Sequence, residues 1–377
     1  MNWGNKGYLV LSALNVKDGY IDKSIEAKYG CQELFDKWMG GNSLRKNDVV
    51  FTTEAPLGNV AQIPDNNGYI LNQRVVAFKT SPNAMDNNFL AQFLRSPLFQ
   101  NKLNANASGG TAKGIGMKEF AKLSLYLPKD INEQRKIGTF LKTMDNTIAL
   151  HQRKLDALKQ MKKGFLQQLF PENGEKLPRV RFTGFEGEWE QRRLGDYAEI
   201  LTGGTPKTSI SEYWEPKKIP WMSSGEVNKR RLDGTDNMIS EEGLNNSSAR
   251  WVKAHSVLIA LAGQGKTRGT VAVNNIRLTT NQSIAAIVPK DNLHYEFVYQ
   301  NLLKRYDELR MFSSGDGTRG GLNKQIVSDV VIPSPSKEEQ FKIGAFFKQL
   351  DNTITLYQYK IDQLNILKKS CLQNMFI

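Results

Sequence analysis

Residues 260–267, ALAGQGKT, have the types and spacing that could bind a phosphate. In a phosphate-binding loop, glycine-rich backbone and a lysine surround the phosphates, and the loop joins a strand to the N-terminus of a helix. The preceding SVLIALA favours a strand, but the following RGTVAVNNIRL is rich in β-branched and turn-forming residues. A nucleotide-hydrolysing enzyme is therefore kept only as an alternative.

The same loop carries side chains that suit contact with DNA. Lysine and arginine bind phosphates or guanine edges, and glutamine binds adenine. Glycines beside such residues let the backbone approach a phosphate closely. On this basis the DNA-binding candidates are Gln264, Lys266, Thr267 and Arg268 on the loop, Lys207, Lys229, Arg230, Arg231 and Arg319 elsewhere in the second half, and Arg74, Lys79 and Lys113 in the first half.

The charge balance points to a polyanionic partner. The net charge of +13 favours nucleic acid, and the alternative is a basic surface that only water solvates. No apolar run approaches the ~20 residues that span a bilayer, and the N-terminus lacks the features of a signal peptide. Cys31 and Cys371 make no disulfide framework. We therefore expect a cytoplasmic chain without membrane contact.

Catalytic and metal-binding patterns are not found in the sequence. His151, His255 and His294 are scattered, with no cysteine or histidine at ligand spacing, so we predict no metal site. No Asn-Pro-Pro-aromatic methyltransferase signature, GxSxG motif or Cys/His nucleophile is present. We therefore predict a chain that is not itself an enzyme and has no catalytic residues.

The elements that must position these candidates occur twice. Residues 133–170 and 339–376 pair without a gap, and roughly half of the paired positions are identical. Strand-like, helical and glycine-rich segments ahead of each copy also correspond, including Asn72-Gln73 and Asn281-Gln282. The whole unit is therefore a mixed α/β domain followed by a long helix. The leading segment of the second copy, residues 189–220, has no counterpart in the first.

The repeated segments have the spacing of helices that pack lengthwise on a partner. Apolar residues alternate at three and four positions, and Lys162 and Lys368 interrupt both seams at the same place. A helix of about 38 residues spans roughly 57 Å, more than one small domain covers. We predict that the two helices pack antiparallel on each other, with a domain at each end. The predicted seam consists of Ile148, Leu155, Leu158 and Leu169 in the first helix, and Ile354, Ile361, Leu364 and Met375 in the second.

Together these features resemble the specificity subunit of a type I restriction-modification system. The resemblance rests on EQxKIGxFxKxxDNTIxLxQxKxDxL, which occurs twice, and on LPRVRFTGFEGEWEQRRLGDYAEILTGGTP before the second domain. It implies an α+β (mixed α/β) chain with two target-recognition domains joined by an antiparallel coiled coil. The expected order is a first, N-terminally short domain at 1–130, helix 131–171, linker 172–188, a second domain at 189–335 and helix 336–377.

The resemblance also implies a function and partners. Each domain would read one half of a split double-stranded DNA sequence, and the helix length would set the gap between the halves. Two modification subunits, which bind S-adenosylmethionine, would dock on the helices, and restriction subunits would use ATP and magnesium. This chain would need no cofactor of its own. A coiled-coil adaptor that binds no DNA is the further alternative.

Overall fold

The chain folds into two compact units. The computed structural model describes residues 4, 6–25, 27–124, 127–172, 174–263, 267–311 and 322–376. Unit 1 comprises Met1–Lys154 and Tyr357–Ile377, and unit 2 comprises Leu155–Leu356. No helix in these ranges is both long enough and apolar enough to cross a membrane.

The first half of the chain contains short strands, short helices and then one long helix. Its elements are β1 (Tyr8–Leu11), β2 (Val16–Lys17), β3 (Tyr20–Ile21), β4 (Tyr29–Gly30), α1 (Gln32–Met39), β5 (Val49–Thr53), β6 (Leu57–Gln62), β7 (Tyr69–Leu71), β8 (Val75–Ala77), α2 (Asn87–Arg95), α3 (Pro97–Asn106), α4 (Met117–Phe120) and the long α5 (Ile131–Gln168).

The second half repeats this order after an additional opening segment. Its elements are β9 (Glu190–Arg193), α6 (Leu194–Tyr197), β10 (Ala198–Thr202), β11 (Ile219–Met222), β12 (Arg231–Leu232), β13 (Asn237–Ile239), α7 (Glu241–Asn245), β14 (Trp251–Val252), β15 (Ser256–Ala260), β16 (Val271–Asn274), β17 (Leu278–Thr280), β18 (Ile284–Pro289), α8 (Tyr295–Lys304), α9 (Tyr306–Met311), α10 (Lys324–Asp329), β19 (Val331–Ser334) and the long α11 (Lys337–Asn374), with 3-10 helices at Ser211–Tyr213 and Ser224–Lys229.

The sheets show that the domain itself is duplicated. In unit 1, β5 lies between β6 and β8, and β1 pairs in parallel with β7. In unit 2, β15 lies between β16 and β18, and β11 pairs in parallel with β17. The central strands β5 (VVFTT) and β15 (SVLIA) are rich in residues that favour strands, and both are buried throughout. The fold is mixed α+β, as the sequence predicts.

A glutamine near the start of each long helix holds the helix to its own domain. In unit 1, Gln134 Oε1 accepts the backbone N–H of Asp86 at 3.0 Å, and its Nε2 donates to the Pro128 carbonyl at 2.9 Å. In unit 2, Gln340 Oε1 accepts the backbone N–H of His294 at 2.9 Å. Asp86 and His294 are the N-cap residues of α2 and α8, so each glutamine bonds a helix end that would otherwise lack a partner.

The repeated glycine of the same motif lets this contact form. A Cβ built on Gly138 would lie 2.8 Å from the Asp86 carboxylate and would overlap the Phe89 backbone nitrogen. A Cβ on Gly344 would lie 2.8 Å from His294 Nδ1. The two copies of Glu-Gln-x-Lys-Ile-Gly therefore join each long helix to the start of a domain helix at close range.

The long helices run antiparallel within each unit. In unit 1, Asp145 of α5 pairs with Lys368 of α11, while His151 contacts Tyr357 with ring centroids 5.4 Å apart. Residue numbers therefore rise along one helix as they fall along the other. The same holds in unit 2.

In unit 2, Lys162 of α5 pairs with Asp351 of α11, and the Phe165 ring lies 5.1 Å from that of Phe346. The predicted antiparallel packing is confirmed, and His151 lies against an aromatic ring of the partner helix.

Seven of the eight predicted seam residues are buried or half-buried, and one is not. Leu155, Leu158 and Ile361 are buried within the helices, and Leu169 is buried just beyond the end of α5. Ile148, Ile354 and Leu364 are half-buried. The prediction for Met375 is wrong, because α11 ends at Asn374 and the Met375 side chain is 41% exposed.

The buried residue at the end of α11 is instead Phe376. Its ring packs against those of Phe89 and Phe93 of α2, at 5.4 and 5.5 Å. Burial of an aromatic ring removes more apolar surface from water than burial of the flexible methionine would, which favours this arrangement.

Gly203 and Gly204, in the opening segment of unit 2, lie against protein backbone. A Cβ on Gly203 would overlap the Thr280 carbonyl oxygen, and one on Gly204 would lie 2.7 Å from the carbonyl carbon of Ser248. The N–H of Gly204 donates to Thr280 O at 2.9 Å, and its carbonyl accepts from Trp221 Nε1 at 2.9 Å. These glycines join β10 to the neighbouring sheet, whereas the sequence pattern favoured an approach to phosphate.

We expect Gly203→Ala to lower the free energy of unfolding by about 1–3 kcal/mol, because the added methyl group overpacks a backbone contact. Gly234→Ala is the matched control, since no atom lies within 4 Å of its Cβ position. Urea unfolding of both variants measures the difference. Equal stability of the two variants would contradict the close contact.

Candidate nucleic-acid interface

The predicted DNA-binding residues of unit 2 fall into three groups. Lys207, Lys229 and Arg230 are exposed, whereas Arg231, Thr267 and Arg268 are half-buried. Gln264, Lys266 and Arg319 lie outside the described residues. Lys207 follows the Gly203-Gly204 junction; its backbone carbonyl accepts from Trp214 Nε1 at 3.2 Å, and its side chain reaches solvent. The junction therefore fixes the backbone and leaves the charge available.

Lys229 and Arg230 end the 3-10 helix before β12. The Lys229 ammonium lies 2.7 Å from Asp236 and 2.9 Å from Glu226, and hydrogen bonds to these carboxylates raise its pKa. Its charge is therefore already largely compensated. Arg230 has a φ of 65° and donates from Nη1 to the Val271 carbonyl at 3.2 Å. A non-glycine residue in this region is strained, and such positions occur often at functional sites.

The three candidates of unit 1 are all exposed. Arg74 lies 3.3 Å from the Glu54 carboxylate, and Lys79 Nζ lies 3.4 Å from Asn42 Oδ1. Lys113 lies in the glycine-rich segment before α4. None of these contacts is short and buried, so each cation can still approach a phosphate.

Arg231 is held inside the protein by two carboxylates. Its Nη1 and Nη2 donate to Glu296, which is 1% exposed, at 3.0 and 2.5 Å. Nη2 also lies 3.0 Å from Asp351. Although burial alone would lower the pKa of Arg231, these two acids raise it. Carboxylates thus bind the guanidinium of Arg231 on both sides, unlike the exposed cations Lys207 and Arg230.

Asp351 is where three parts of unit 2 meet. It accepts from Arg231 of β12, from Gln300 Nε2 of α8 at 3.0 Å, and from Lys162 Nζ of α5 at 2.5 Å. One carboxylate of α11 thus binds the α/β domain of unit 2 and the other long helix. Lys162 and Asp351 are both 14% exposed, so little water screens their attraction.

Asp145 forms the same junction in unit 1. It accepts from Gln92 Nε2 at 2.8 Å and from Arg95 Nη1 at 2.6 Å, both on α2, and it pairs with Lys368 of α11. Burial would raise the pKa of the Asp145 carboxyl, but Arg95 and Lys368 hold that pKa below its ordinary value. Arg95 is neutralised further by Asp18 at 2.6 Å.

The sequence contained a signal for these junctions, namely the repeated lysine at one place in both seams. From the sequence alone, Lys162 and Lys368 interrupt the apolar seam, and the apolar residue next to each is Met161 or Leu367. In the structure Met161 and Leu367 are 43% and 51% exposed, and the lysines point inward. The seam is therefore apolar but contains an ion pair between the two helices in each unit.

The phosphate-loop pattern does not lead into a helix. After Thr267 the chain enters β16, which pairs antiparallel with β15. The helix N-terminus that a phosphate-binding loop requires is therefore missing from the residues that follow Thr267. Over the described part of the chain, no group of three or more His, Cys, Asp or Glu side chains could hold a metal ion.

Comparison with known proteins identifies the family. The sequence profile described as "Type I restriction modification DNA specificity domain" matches residues 19–160 and 186–365, which is most of the chain. The chain belongs to this family. Its two matched stretches coincide with the two copies of the repeat, so each half corresponds to one specificity domain.

The individual proteins to which the chain is similar include specificity subunits of type I restriction enzymes. The specificity subunit of the type I restriction enzyme EcoR124I/EcoR124II of Escherichia coli is 29% identical over 175 residues, which are 45% of this chain and 43% of that protein. The MjaIX specificity subunit of Methanocaldococcus jannaschii is 30% identical over 197 residues, 50% of this chain and 44% of its own. These alignments thus span less than half the length of each relative.

A solved structure shares the fold. The S subunit of a type I restriction-modification system from M. genitalium has a TM-score of 0.67 over 99% of this chain and 93% of that chain, at 16% identity. At this identity the similarity shows the fold alone. It extends over both units, including the opening segment of unit 2.

We expect Asp351→Ala to lower the free energy of unfolding by about 3 kcal/mol, because it leaves the buried Lys162 ammonium without a partner. Asp362→Ala, at an exposed position of the same helix, is the control and should change stability by less than about 0.5 kcal/mol. Adding Lys162→Met to Asp351→Ala should restore part of the loss. Additive losses in urea unfolding would show that the two residues do not interact.

Proposed function

We propose that this chain is the DNA-reading subunit of a type I restriction-modification complex, and that each domain reads one half of a split sequence. The single observation that carries the proposal is the match of both halves of the chain to the DNA specificity domain of the family. Two copies of a reading domain in one chain imply two half-sites. The two long helices, which are packed antiparallel, would then separate them.

The charge of the protein supports DNA as the ligand. The net charge is +13, and Arg74, Lys79, Lys113, Lys207 and Arg230 are exposed on loops or strand ends of the two domains. Loop cations bind phosphates and set the position of the protein on the duplex, while neighbouring side chains read base edges. The loop residues Thr267 and Arg268 follow the hairpin strand β15 and belong to the same proposed interface.

The exposed apolar residues of the long helices support two equivalent docking sites for modification subunits. Unit 1 exposes Leu150 on α5 and Leu367 on α11, at 60% and 51%. Unit 2 exposes Leu356 and Met161, at 49% and 43%. Leu356 is the repeat counterpart of Leu150, and Leu367 is that of Met161. A surface that exposes the same large apolar residues twice suits two copies of one partner.

In this proposal the chain positions chemistry that other subunits perform. The modification subunits would bind S-adenosylmethionine and methylate adenine, and the restriction subunits would use ATP and magnesium. A nucleotide-hydrolysing role for residues 260–267 is disfavoured by the strand that follows Thr267. A pure coiled-coil adaptor would not need two basic α/β domains.

Co-expression with a modification subunit tests the proposal as a whole. The complex should methylate adenines in one split sequence, which sequencing of methylated bases in the host DNA would reveal. If the purified complex forms and yet neither binds nor methylates any DNA, the proposed function is wrong.

We expect Lys207→Ala to weaken DNA binding by the complex, and to reduce the slope of log affinity against log salt by about 1, because one phosphate contact is lost. Lys217→Ala is the control, since Lys217 is also exposed and lies 3.7 Å from Glu215. Fluorescence anisotropy at several salt concentrations gives both slopes. An unchanged slope for Lys207→Ala would remove this residue from the interface.

We expect Leu356→Asp to remove one of two modification subunits, because a carboxylate at the centre of an apolar contact must lose its water. Leu150→Asp should remove the other, and the double variant should remove both. Gln358→Asp adds the same charge on another face of α11 and should leave the complex intact. Native mass spectrometry counts the subunits; full assembly of the double variant would contradict this docking surface.

A further inference from the structure

Four aromatic rings of unit 2 contact one another in a continuous row. The His255 ring stacks on that of Tyr295, with ring centroids 4.9 Å apart and an angle of 20° between the planes. The His294 ring lies 5.0 Å from the Tyr295 ring and 5.4 Å from the Phe341 ring. His255 and Phe341, at the two ends, are exposed, and Phe341 is 61% exposed. We call these four residues the aromatic row.

Unit 1 carries polar side chains at the corresponding positions. They are Asn47 for His255, Asp86 for His294, Asn87 for Tyr295 and Arg135 for Phe341. Asp86 and His294 are both N-caps of domain helices, and the ungapped repeat of the long helices pairs Arg135 with Phe341. The same fold thus forms with polar side chains at these positions. Packing of the domain alone therefore does not account for the aromatic row.

The backbone shows that Asn47 and His255 occupy one and the same position of the fold. Both have a positive φ, 72° and 62°. The N–H of Asn47 donates to the Ile63 carbonyl at 2.8 Å, and the N–H of His255 donates to the Asn274 carbonyl at 2.7 Å. Asparagine and histidine are among the residues that adopt a positive φ most readily. The two units therefore share this backbone and differ in the side chain that it presents.

Lysines accompany the aromatic row. Lys348 Nζ donates to the Tyr295 hydroxyl at 3.1 Å and lies 5.8 Å from the centre of that ring. Burial lowers the pKa of His294, and Lys348 and Lys337 lower it further, although Glu296 opposes the shift. His294 therefore remains a neutral ring at neutral pH, while the lysines supply positive charge beside it.

We propose that the aromatic row and its lysines bind single-stranded DNA, with unpaired bases stacked on the rings and phosphates paired with Lys337 and Lys348. Aromatic rings on a basic surface bind single strands because every base has a flat face. In a duplex those faces are stacked on neighbouring bases, so a protein reaches only base edges and the backbone. This site goes beyond the proposed function, which concerns duplex DNA.

The combination of rings and charge favours this ligand over others. An acidic peptide would pair with the lysines and leave the ring of Phe341 in water. An apolar helix of a partner protein would cover the rings and leave the lysines without anions. An unpaired nucleotide offers a flat apolar face and a phosphate within one residue, so it satisfies both parts of the site.

A fluorescent oligothymidylate of about 12 nucleotides, added to the full-length chain, is the probe. A second probe has the same phosphates and sugars but no bases. We expect the oligothymidylate to bind about tenfold more tightly than the abasic strand, because stacking of a base on an aromatic ring contributes at least that factor. Fluorescence anisotropy at one fixed salt concentration measures both dissociation constants.

Phe341→Arg separates stacking from charge, since it removes a ring and adds a positive charge. We expect this variant to bind the oligothymidylate about tenfold more weakly and to lose the preference over the abasic strand. Tyr359→Arg is the matched control, because Tyr359 lies on the same helix, is 60% exposed and has Arg153 as its repeat counterpart. Added charge alone should make the control bind both probes slightly more tightly.

His255→Asn tests the other end of the aromatic row without a change of formal charge. Asparagine fits this backbone, as Asn47 shows. We expect about fivefold weaker binding of the oligothymidylate, with urea unfolding unchanged.

Several results would overturn the proposal. They are equal affinity for the two probes, an affinity for the oligothymidylate that rises or stays unchanged in Phe341→Arg, and an equal loss in Tyr359→Arg. A loss in Phe341→Arg that is as large for duplex DNA of mixed sequence would also contradict binding of unpaired bases. If Phe341→Arg instead detaches a modification subunit and leaves oligothymidylate binding intact, the aromatic row is a protein-docking surface.

The anisotropy measurements need neither a modification subunit nor a split sequence. Their failure therefore leaves the proposed function intact. Conversely, a complex that methylates no DNA would leave the preference for the oligothymidylate over the abasic strand unaffected.

Discussion

The structure depends on one carboxylate in each long helix, Asp145 in unit 1 and Asp351 in unit 2. Each accepts hydrogen bonds from a glutamine and an arginine of its own domain, and each pairs with a lysine of the other helix. Charges at this depth are stable only while all partners are in place, because an unpaired one keeps its full desolvation cost. A shift of one helix turn along the seam would separate both lysines from both aspartates. The ion pairs therefore select one register, which the apolar seam alone would select only weakly.

This arrangement separates the contacts that hold each domain to the long helices from the exposed loops of the domain. Gln134 and Gln340 bind backbone groups at the starts of α2 and α8, and Gly138 and Gly344 allow the close approach. Contacts of this kind are made to backbone, so they do not depend on the side chains of the domain loops. The exposed cations lie on those loops instead. A domain can therefore change its surface residues while its attachment to the helices stays the same.

The sequence predicted those features that depend on repetition and periodicity. The duplication, the antiparallel helices and the strand after Thr267 follow from patterns that packing reinforces, and all three are confirmed. Features that depend on a distant partner were not predictable. In the sequence Lys229-Arg230-Arg231, Arg231 has the context of a surface cation. Its partners Glu296 and Asp351 lie 65 and 120 residues away in the chain, so the sequence does not indicate them.

Likewise, a lysine in an apolar seam indicates an interruption of the seam, and only the structure shows the aspartate that opposes it.

The function of the glycines in the Gly-Gly-Thr-Pro segment was also not predictable from the sequence. A glycine signals that something approaches closely, and the sequence cannot distinguish a phosphate from a neighbouring carbonyl. For Gly203 the neighbour is the Thr280 carbonyl.

The two domains pack equivalent positions of the same sheet with different kinds of side chain. In unit 2 the opening segment covers the edge, and the residues beneath it, Ile259 and Ile287, are aliphatic. In unit 1 the corresponding positions carry Phe51 and Phe78, and the Phe120 ring lies 4.9 Å from that of Phe51 and 6.0 Å from that of Phe78. Aromatic rings at these positions fill more volume than the aliphatic side chains of unit 2, so the two cores reach close packing with different residues on equivalent strands.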